Sequence, residues 1–272
     1  MKDDERRTTE MPKTATYLFC VIAASRRPRV SGKLRTFAGL GPVRLLDVAP
    51  EMYLAVADAP LSQYGEAAIK RGLADLEWVS RAAVAHEAVV ESFVSATAIL
   101  PMKLFTIFAN DSRALQHIAS QRARIASLVR RVAHHQEWGV RLVLDRAAAE
   151  RAAASPLGTT RKSSTAHAQG VAYLTRKKAQ RDAAVELATR ARETVTGLYD
   201  RLEARSTLAR RRSASELPVQ GGPLLLDAAF LVPRARAASF KALAAREARA
   251  LARHGYGMTV SGPWPPYTFV QD

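Results

Sequence analysis

Apolar residues in this chain come in two rhythms, unbroken runs and helical repeats. Tyr17-Leu-Phe-Cys-Val-Ile-Ala23 is a continuous apolar run of strand length, which predicts a central strand buried on both faces. Arg26-Arg-Pro-Arg29 ends it. Pro42–Val48 and Met52–Ala57 flank Pro50-Glu51 and predict two strands joined by a short turn. From Leu61 to about Thr97 the period changes. Ile69, Leu73, Leu76, Val79, Ala83, Val90 and Val94 recur at three- to four-residue spacing or its multiples, the pattern of one amphipathic helix. The pattern turns extended again from Leu100 to Phe108, with Pro101 near its start.

Asp111 is the candidate N-cap of the next helix, whose apolar stripe is Leu115, Ile118, Ile125, Leu128 and Val132, with Gly139 just beyond its end. Strands are predicted at Trp138–Leu144, Leu224–Val232 and Tyr256–Val260, and a helix from about Ala235 to Arg253. A Ser/Thr-rich break over 155–168 precedes a helix predicted over 169–204. In it Ala184, Ala188, Ala191, Val195, Leu198 and Leu202 keep a 4-3-4-3-4 spacing, as in a heptad seam. Lys177 and Arg181 occupy the earlier seam positions, so the helix is read as packing along its own protein rather than in a dimeric coiled coil.

The fold class is therefore α+β in two units built alike, without a residue-level repeat. A charged tail covers 1–13. A ferredoxin-like sheet-and-helix domain covers 14–110. A C-terminal α+β domain covers 111–272 and carries the long, coiled-coil-like basic helix as an insertion.

A chain of 272 residues that is 48% hydrophobic buries roughly three quarters of its unfolded surface, which excludes a disordered chain. Met1-Lys-Asp-Asp-Glu-Arg-Arg7 does not resemble a secretory signal. The longest apolar stretch near it, Tyr17 to Ala24, falls far short of the about 20 residues that span a bilayer. A soluble, cytoplasmic protein is expected, with no membrane partner. The lone Cys20 excludes an intramolecular disulfide and a thiolate metal cluster, and its apolar run predicts a buried structural thiol.

Candidate chemistry fails on spacing, and no cofactor, metal or catalytic residue is expected. His86-Glu87 has the start of a zinc-protease helix motif, but Val90 stands where the second histidine belongs; the pair is read as lying on the helix's outer face or capping a neighbouring loop. His134 and His135 are adjacent, so on a helix they point about 100° apart and do not share a metal. Gly39-Leu-Gly41 is interrupted by Pro42 and lacks the third glycine of a dinucleotide loop. Ser163, Ser164 and His167 lie on a Ser/Thr-rich segment with no scaffold to hold hydrogen-bond geometry.

The charge of +16 is the rival signal. Residues 161–213 hold 13 Lys and Arg against 5 acidic residues, and 234–254 hold six against Glu247 alone. Such patches attract phosphate backbones, so a polyanion-binding protein is the alternative reading. No aromatic residue stands between 174 and 198 to stack a base, which places nucleic acid second. Arg176, Lys177, Lys178 and Arg181, crowded into six residues where the apolar seam fades, are the candidate partner-binding residues.

The chain closes with Ser261-Gly-Pro-Trp-Pro-Pro-Tyr-Thr-Phe-Val-Gln271, an extended, aromatic-rich end that cannot be helical at its prolines. Together with Trp78, His86-Glu87 and Ile99-Leu-Pro-Met-Lys-Leu-Phe-Thr-Ile-Phe108, it resembles the GvpL/GvpF family of gas vesicle accessory proteins, over nearly the whole chain. The motif residues are Trp78, His86, Glu87, Leu100, Pro101, Phe105, Phe108, Gly262, Pro263, Trp264, Pro265, Pro266 and Tyr267, and a structural role is expected for them. Trp264 and Tyr267 are expected to be buried against the C-terminal sheet, and Pro101–Phe108 to run extended with Phe105 or Phe108 entering the core between the units. The resemblance implies a structural accessory protein of gas vesicles, the gas-filled shells that give cells buoyancy. It implies as partners the small, apolar main shell protein GvpA, which forms a sheet-based wall, and other accessory proteins.

Overall fold

The computed structural model describes residues 14–145, 148–149, 166–212 and 222–271 other than 33, 35 and 38; in the helix that begins at 166, side chains are described from 175 on, except 180. Its compact units are residues 1–135 with 264–272, and residues 136–263.

The first unit is built on β1 (Thr14–Ala23), β2 (Arg44–Ala49), β3 (Met52–Pro60), β4 (Ala98–Pro101) and β5 (Ile107–Phe108). Spatial order is β2-β3-β1-β4, with β5 also on β1, and these pairings are antiparallel. The predicted central strand is central. Tyr17 to Ile22 are each no more than 2% exposed, because β1 has strands on both edges and packed layers on both faces.

The single helix expected over Leu61–Thr97 is three: α1 (Leu61–Tyr64), α2 (Glu66–Gly72) and α3 (Leu76–Glu91). Gly65 and Gly72 sit at the interruptions, and Asp75 restarts the helix by accepting from Glu77 N–H at 2.9 Å and Trp78 N–H at 3.1 Å. The restart shifts the helical phase. Ala82, His86, Val89 and Val90 face the sheet, while Leu73 and Leu76 of the expected stripe are 55% and 84% exposed.

The next helix is likewise divided, into α4 (Asp111–Ser120) and α5 (Arg122–Val132), at Gln121. Its cap is Asn110, which accepts from Arg113 N–H at 3.0 Å, not Asp111. Asp111 instead binds Arg44, at 2.7 and 2.8 Å, and Thr16, at 2.7 Å. The Arg44 guanidinium pulls the Asp111 carboxyl below its ordinary pKa. These helices pack on β1, β2 and β4, so the first unit runs past the expected boundary at 110.

The second unit comprises β6 (His135–Leu144, its first residue in the first unit), α6 (Ala166–Glu203), β7 (Leu208–Arg211), β8 (Leu224–Pro233), α7 (Ala237–Ala252) and β9 (Tyr256–Trp264, whose last residue belongs to the first unit). The order is βαββαβ, and the sheet runs β7-β8-β6-β9, which is the ferredoxin-like arrangement in full. The first unit has the same strand order, but the described residues between β1 and β2 form no helix where the first helix belongs. Pro28, Gly32, Gly39, Gly41 and Pro42 explain the missing helix. β7 was not predicted, since Arg210 and Arg211 hide a strand behind charge.

Along α6, Ala191, Val195, Leu198 and Leu202 are buried in the unit's own core with Leu142, Phe230 and Phe240. Ala184 and Ala188, the earlier seam positions, are exposed, as is Val185. Most of the Ser/Thr-rich break lies outside the described residues; its last residues, 166–168, begin α6.

The closing segment departs most from expectation. Residues 264–272 belong to the first unit, where α8 (Tyr267–Val270) packs on β4 and α5. Pro265, Pro266, Phe269 and Val270 are buried, whereas Trp264 is 38% exposed. The anchor is therefore Phe269. Phe269→Ala is expected to lower stability by about 3–5 kcal/mol, as other buried Phe truncations do, and Trp264→Ala by about 1 kcal/mol or less. Urea melts of both variants decide; equal losses would mean that the tail is held by Trp264.

Candidate functional site

The motif residues upstream of the tail converge on Tyr17, at the start of the buried run of β1. Its ring meets Phe19, Tyr64, His86 and Phe105 at centroid distances of 4.7, 6.3, 5.8 and 6.5 Å. Trp78 stacks on Phe105 at 4.9 Å and 16°, and Phe37 meets Trp78 edge-on at 5.3 Å. Trp78 also lies across Gly72, where a Cβ would fall 2.7 Å from the indole ring, so only glycine fits beneath it. Such ring pairs contribute about 0.5–1.5 kcal/mol each beyond buried area.

Phe105 reaches this cluster because Pro101–Phe108 is not continuously extended. β4 and β5 both pair with β1, and residues 102–106 turn between them, with Met102 N–H on Phe19 O and Leu18 N–H on Thr106 O, each at 2.9 Å. Phe105 takes φ +62°, a left-handed conformation that costs a non-glycine residue energy and is held by its surroundings. Phe105 enters the aromatic cluster of the first unit; Phe108 is partly buried against the His117 ring at 5.1 Å.

The Tyr17 hydroxyl accepts from Phe105 N–H at 3.2 Å and shares a second hydrogen bond, of 2.9 Å, with His86 Nδ1. The Met102 backbone lies near the His86 ring. Burial lowers its pKa from 6.5 to about 4, and burial raises that of Tyr17 to about 12.

His86 is thus 5% exposed beneath α3, not on its outer face. Glu87, a helical step away, faces the Tyr267 hydroxyl; burial first and then this carboxylate push the phenol up. His86 joins α3 to β1 through Tyr17, and Glu87 lies beside the tail's Tyr267. The signal for this was the His-Glu dipeptide itself, but only the fold shows that its partners are tyrosines rather than a metal. Among the described residues no group of three or more His, Cys, Asp and Glu could hold a metal ion, and no helix is long and apolar enough to cross a membrane. Cys20 is buried, with its thiol pKa pushed up by burial.

Of the other expected residues, Leu100 and Pro101 are buried in β4, and Gly262, at φ +116°, makes a cis peptide with Pro263 near the end of β9. Arg176, Lys177, Lys178 and Arg181 are exposed on α6, away from the motif residues in sequence and, Gly262 and Pro263 apart, in a different unit.

Sheet edges complete the geometry. Arg27 guards β2: it pairs with Asp47, donates to Leu45 O at 2.9 Å and lies over the Tyr53 ring. β4 is buried throughout and covered by α5 and α8. β7 is four residues long and carries Arg210 and Arg211. β9 has no such protection. Its nine residues, Tyr-Gly-Met-Thr-Val-Ser-Gly-Pro-Trp, include no charge, Gly257, Thr259 and Ser261 are exposed, and among the described residues no strand pairs with its outer edge.

The α+β fold with its two antiparallel sheets matches that of solved gas vesicle proteins. The crystal structure of GvpF from an Anabaena species superposes with a TM-score of 0.65 at 16% identity, covering 95% of this chain and 97% of that one. GvpF from Microcystis aeruginosa gives 0.63 at 15%, covering 95% and 99%. A curated relative named Gas vesicle protein L, from a Streptomyces species, is 28% identical over 236 residues, 85% of each chain. The family described as Gas vesicle synthesis protein GvpL/GvpF matches residues 15–271, and this chain belongs to it.

The buried histidine gives the first unit a pH dependence. Its folded pKa of about 4 lies below the ordinary 6.5, so unfolded chains bind a proton that the fold refuses. The stability contribution is complete above pH 6.5 and is lost as pH falls toward 4, a loss on the order of 3 kcal/mol. Urea melts between pH 7.5 and 4.5 should show a steeper decline for the parent than for His86→Gln; parallel declines would mean that His86 is charged inside the fold.

Proposed function

We propose that this protein binds the main shell protein GvpA, without catalysis, and supports assembly or nucleation of the gas vesicle wall, with other accessory proteins as further partners. Family membership supplies the gas vesicle role. The observation that carries the mode of binding is the unguarded edge of β9. An exposed strand edge is a row of unpaired N–H and C=O groups, and proteins ordinarily blunt it with charge, proline, a bulge or a covering element. Here three edges are blunted, and among the described residues no strand pairs with the fourth, which carries neither charge nor proline along its first six residues. An apolar, sheet-forming subunit can add a strand there, gaining main-chain hydrogen bonds while its own edge is kept from unscheduled aggregation.

Thr259 is exposed at the middle of that edge. Thr259→Lys, which installs the charge the other edges carry, is expected to weaken GvpA capture about tenfold or more while changing stability by about 0.5 kcal/mol or less. Undiminished capture by a normally folded variant removes β9 as the contact.

The exposed basic stretch of α6 favours polyanion binding as the second reading. Replacing Arg176, Lys177, Lys178 and Arg181 together with Glu should leave the melting temperature nearly unchanged, since exposed charges contribute about 0–1 kcal/mol per pair. If these residues steer GvpA, capture slows through its on-rate. Lost DNA retention with intact capture assigns them to incidental polyanion attraction, and no change in either assay removes both roles. Salt separates the mechanisms: phosphate contacts lose orders of magnitude in affinity between about 50 and 200 mM, and apolar strand pairing barely responds.

A further inference from the structure

We propose that the first unit contains a small-ligand site that takes an aliphatic chain ending in a carboxylate. The observation is a cavity of about 310 Å³ beside β4, at the lower end of the roughly 300–1,000 Å³ of ligand pockets. Its walls come from five places in the sequence: β1, the Leu100-Pro101-Met102 motif with the turn after it, α4, α5 and the tail. Two motif segments whose sequence signal the aromatic cluster does not absorb, Leu100–Met102 and Val270-Gln271, therefore meet at this hollow.

The lining divides chemically. The aliphatic wall is Leu100, Ile118, Ile125, Leu128 and Val270, together with Val21 of the buried central strand. The polar lining brings Lys103 from the turn, His117 from α4 and Arg124 from α5 to one cavity, and no carboxylate side chain is among the lining residues. Gln121 ties two of them together, its Nε2 lying 2.8 Å from His117 Nε2 and its Oε1 accepting from Arg124 at 3.1 Å. Three basic side chains on separate elements, beside an aliphatic wall, match a ligand with an anionic head and an apolar body. A cationic or purely polar ligand would meet like charge at one side and unpaired apolar surface at the other. This is independent of strand addition at β9, which lies on another element.

The chemistry has two sources, a free aliphatic acid or the C-terminal carboxylate of an apolar peptide, so both are probed. Calorimetric titration of the full chain is done with octanoate, octanol and octylammonium, and with a Leu-Leu-Val peptide as free acid and as amide. Saturable binding of octanoate or of the free-acid peptide is expected, with the neutral and cationic counterparts at least tenfold weaker. Whichever acid binds names the source. Lys103 is exposed, so Lys103→Glu leaves the fold intact and should weaken binding about tenfold; Ile125→Phe, which fills the hollow, should do so independently, with both variants checked by melting. Equal binding of octanol and octanoate overturns the anionic specificity. Absence of saturable binding overturns the site.

Discussion

The burial of β1 is the constraint on which the first unit depends. A strand with no exposed residue from Tyr17 to Ile22 needs partners on both edges and covering layers on both faces. β3 supplies one edge; β4, β5 and the 102–106 turn share the other. α3 covers one face with His86, Val89 and Val90, and α4 and α5, with α8 beside them, complete the other layer. Tyr17 is the one polar group that this burial carries deep into the core, and its hydroxyl is satisfied twice, by Phe105 and by His86. The left-handed Phe105 brings its N–H to that hydroxyl, and burial in the same core lowers the pKa of His86.

Elements whose signal is local were legible in the sequence. The apolar run of β1, the turn at Pro50-Glu51 and the apolar seam at Ala191–Leu202 all appear where periodicity places them. Periodicity failed where a cap or a glycine resets the phase: Asp75 and Gly72 rotate α3 relative to the helix drawn through Leu73 and Leu76, which leaves those leucines in solvent. It failed again at β7, because an edge strand with three of its four residues exposed has no need of apolar alternation.

The candidate site was legible as a set of unusual residues but not as an arrangement. His86 and Glu87 stand out as a pair, yet their meaning depends on Tyr17 and Tyr267, 69 residues before the histidine and 180 after the glutamate. The tail shows the same limit. Its prolines predict extension, and the buried anchor is Phe269, which no periodicity distinguishes from Trp264. Contacts this distant in sequence are decided by competition among surfaces in the folded chain, which a local pattern does not encode.

The return of residues 264–272 to the first unit makes the second unit an insertion within it. Chains emerge from the ribosome from their N-terminus, and an unaided domain folds once its last contributing residue is out. The first unit therefore waits through the synthesis of the whole second unit before Phe269 and Val270 arrive to close its sheet. Until then β4 lacks the part of its cover that α8 supplies, and the growing chain presents apolar strand surface that the finished protein hides. The growing chain thus carries the edge-strand hazard itself for the length of about 130 codons.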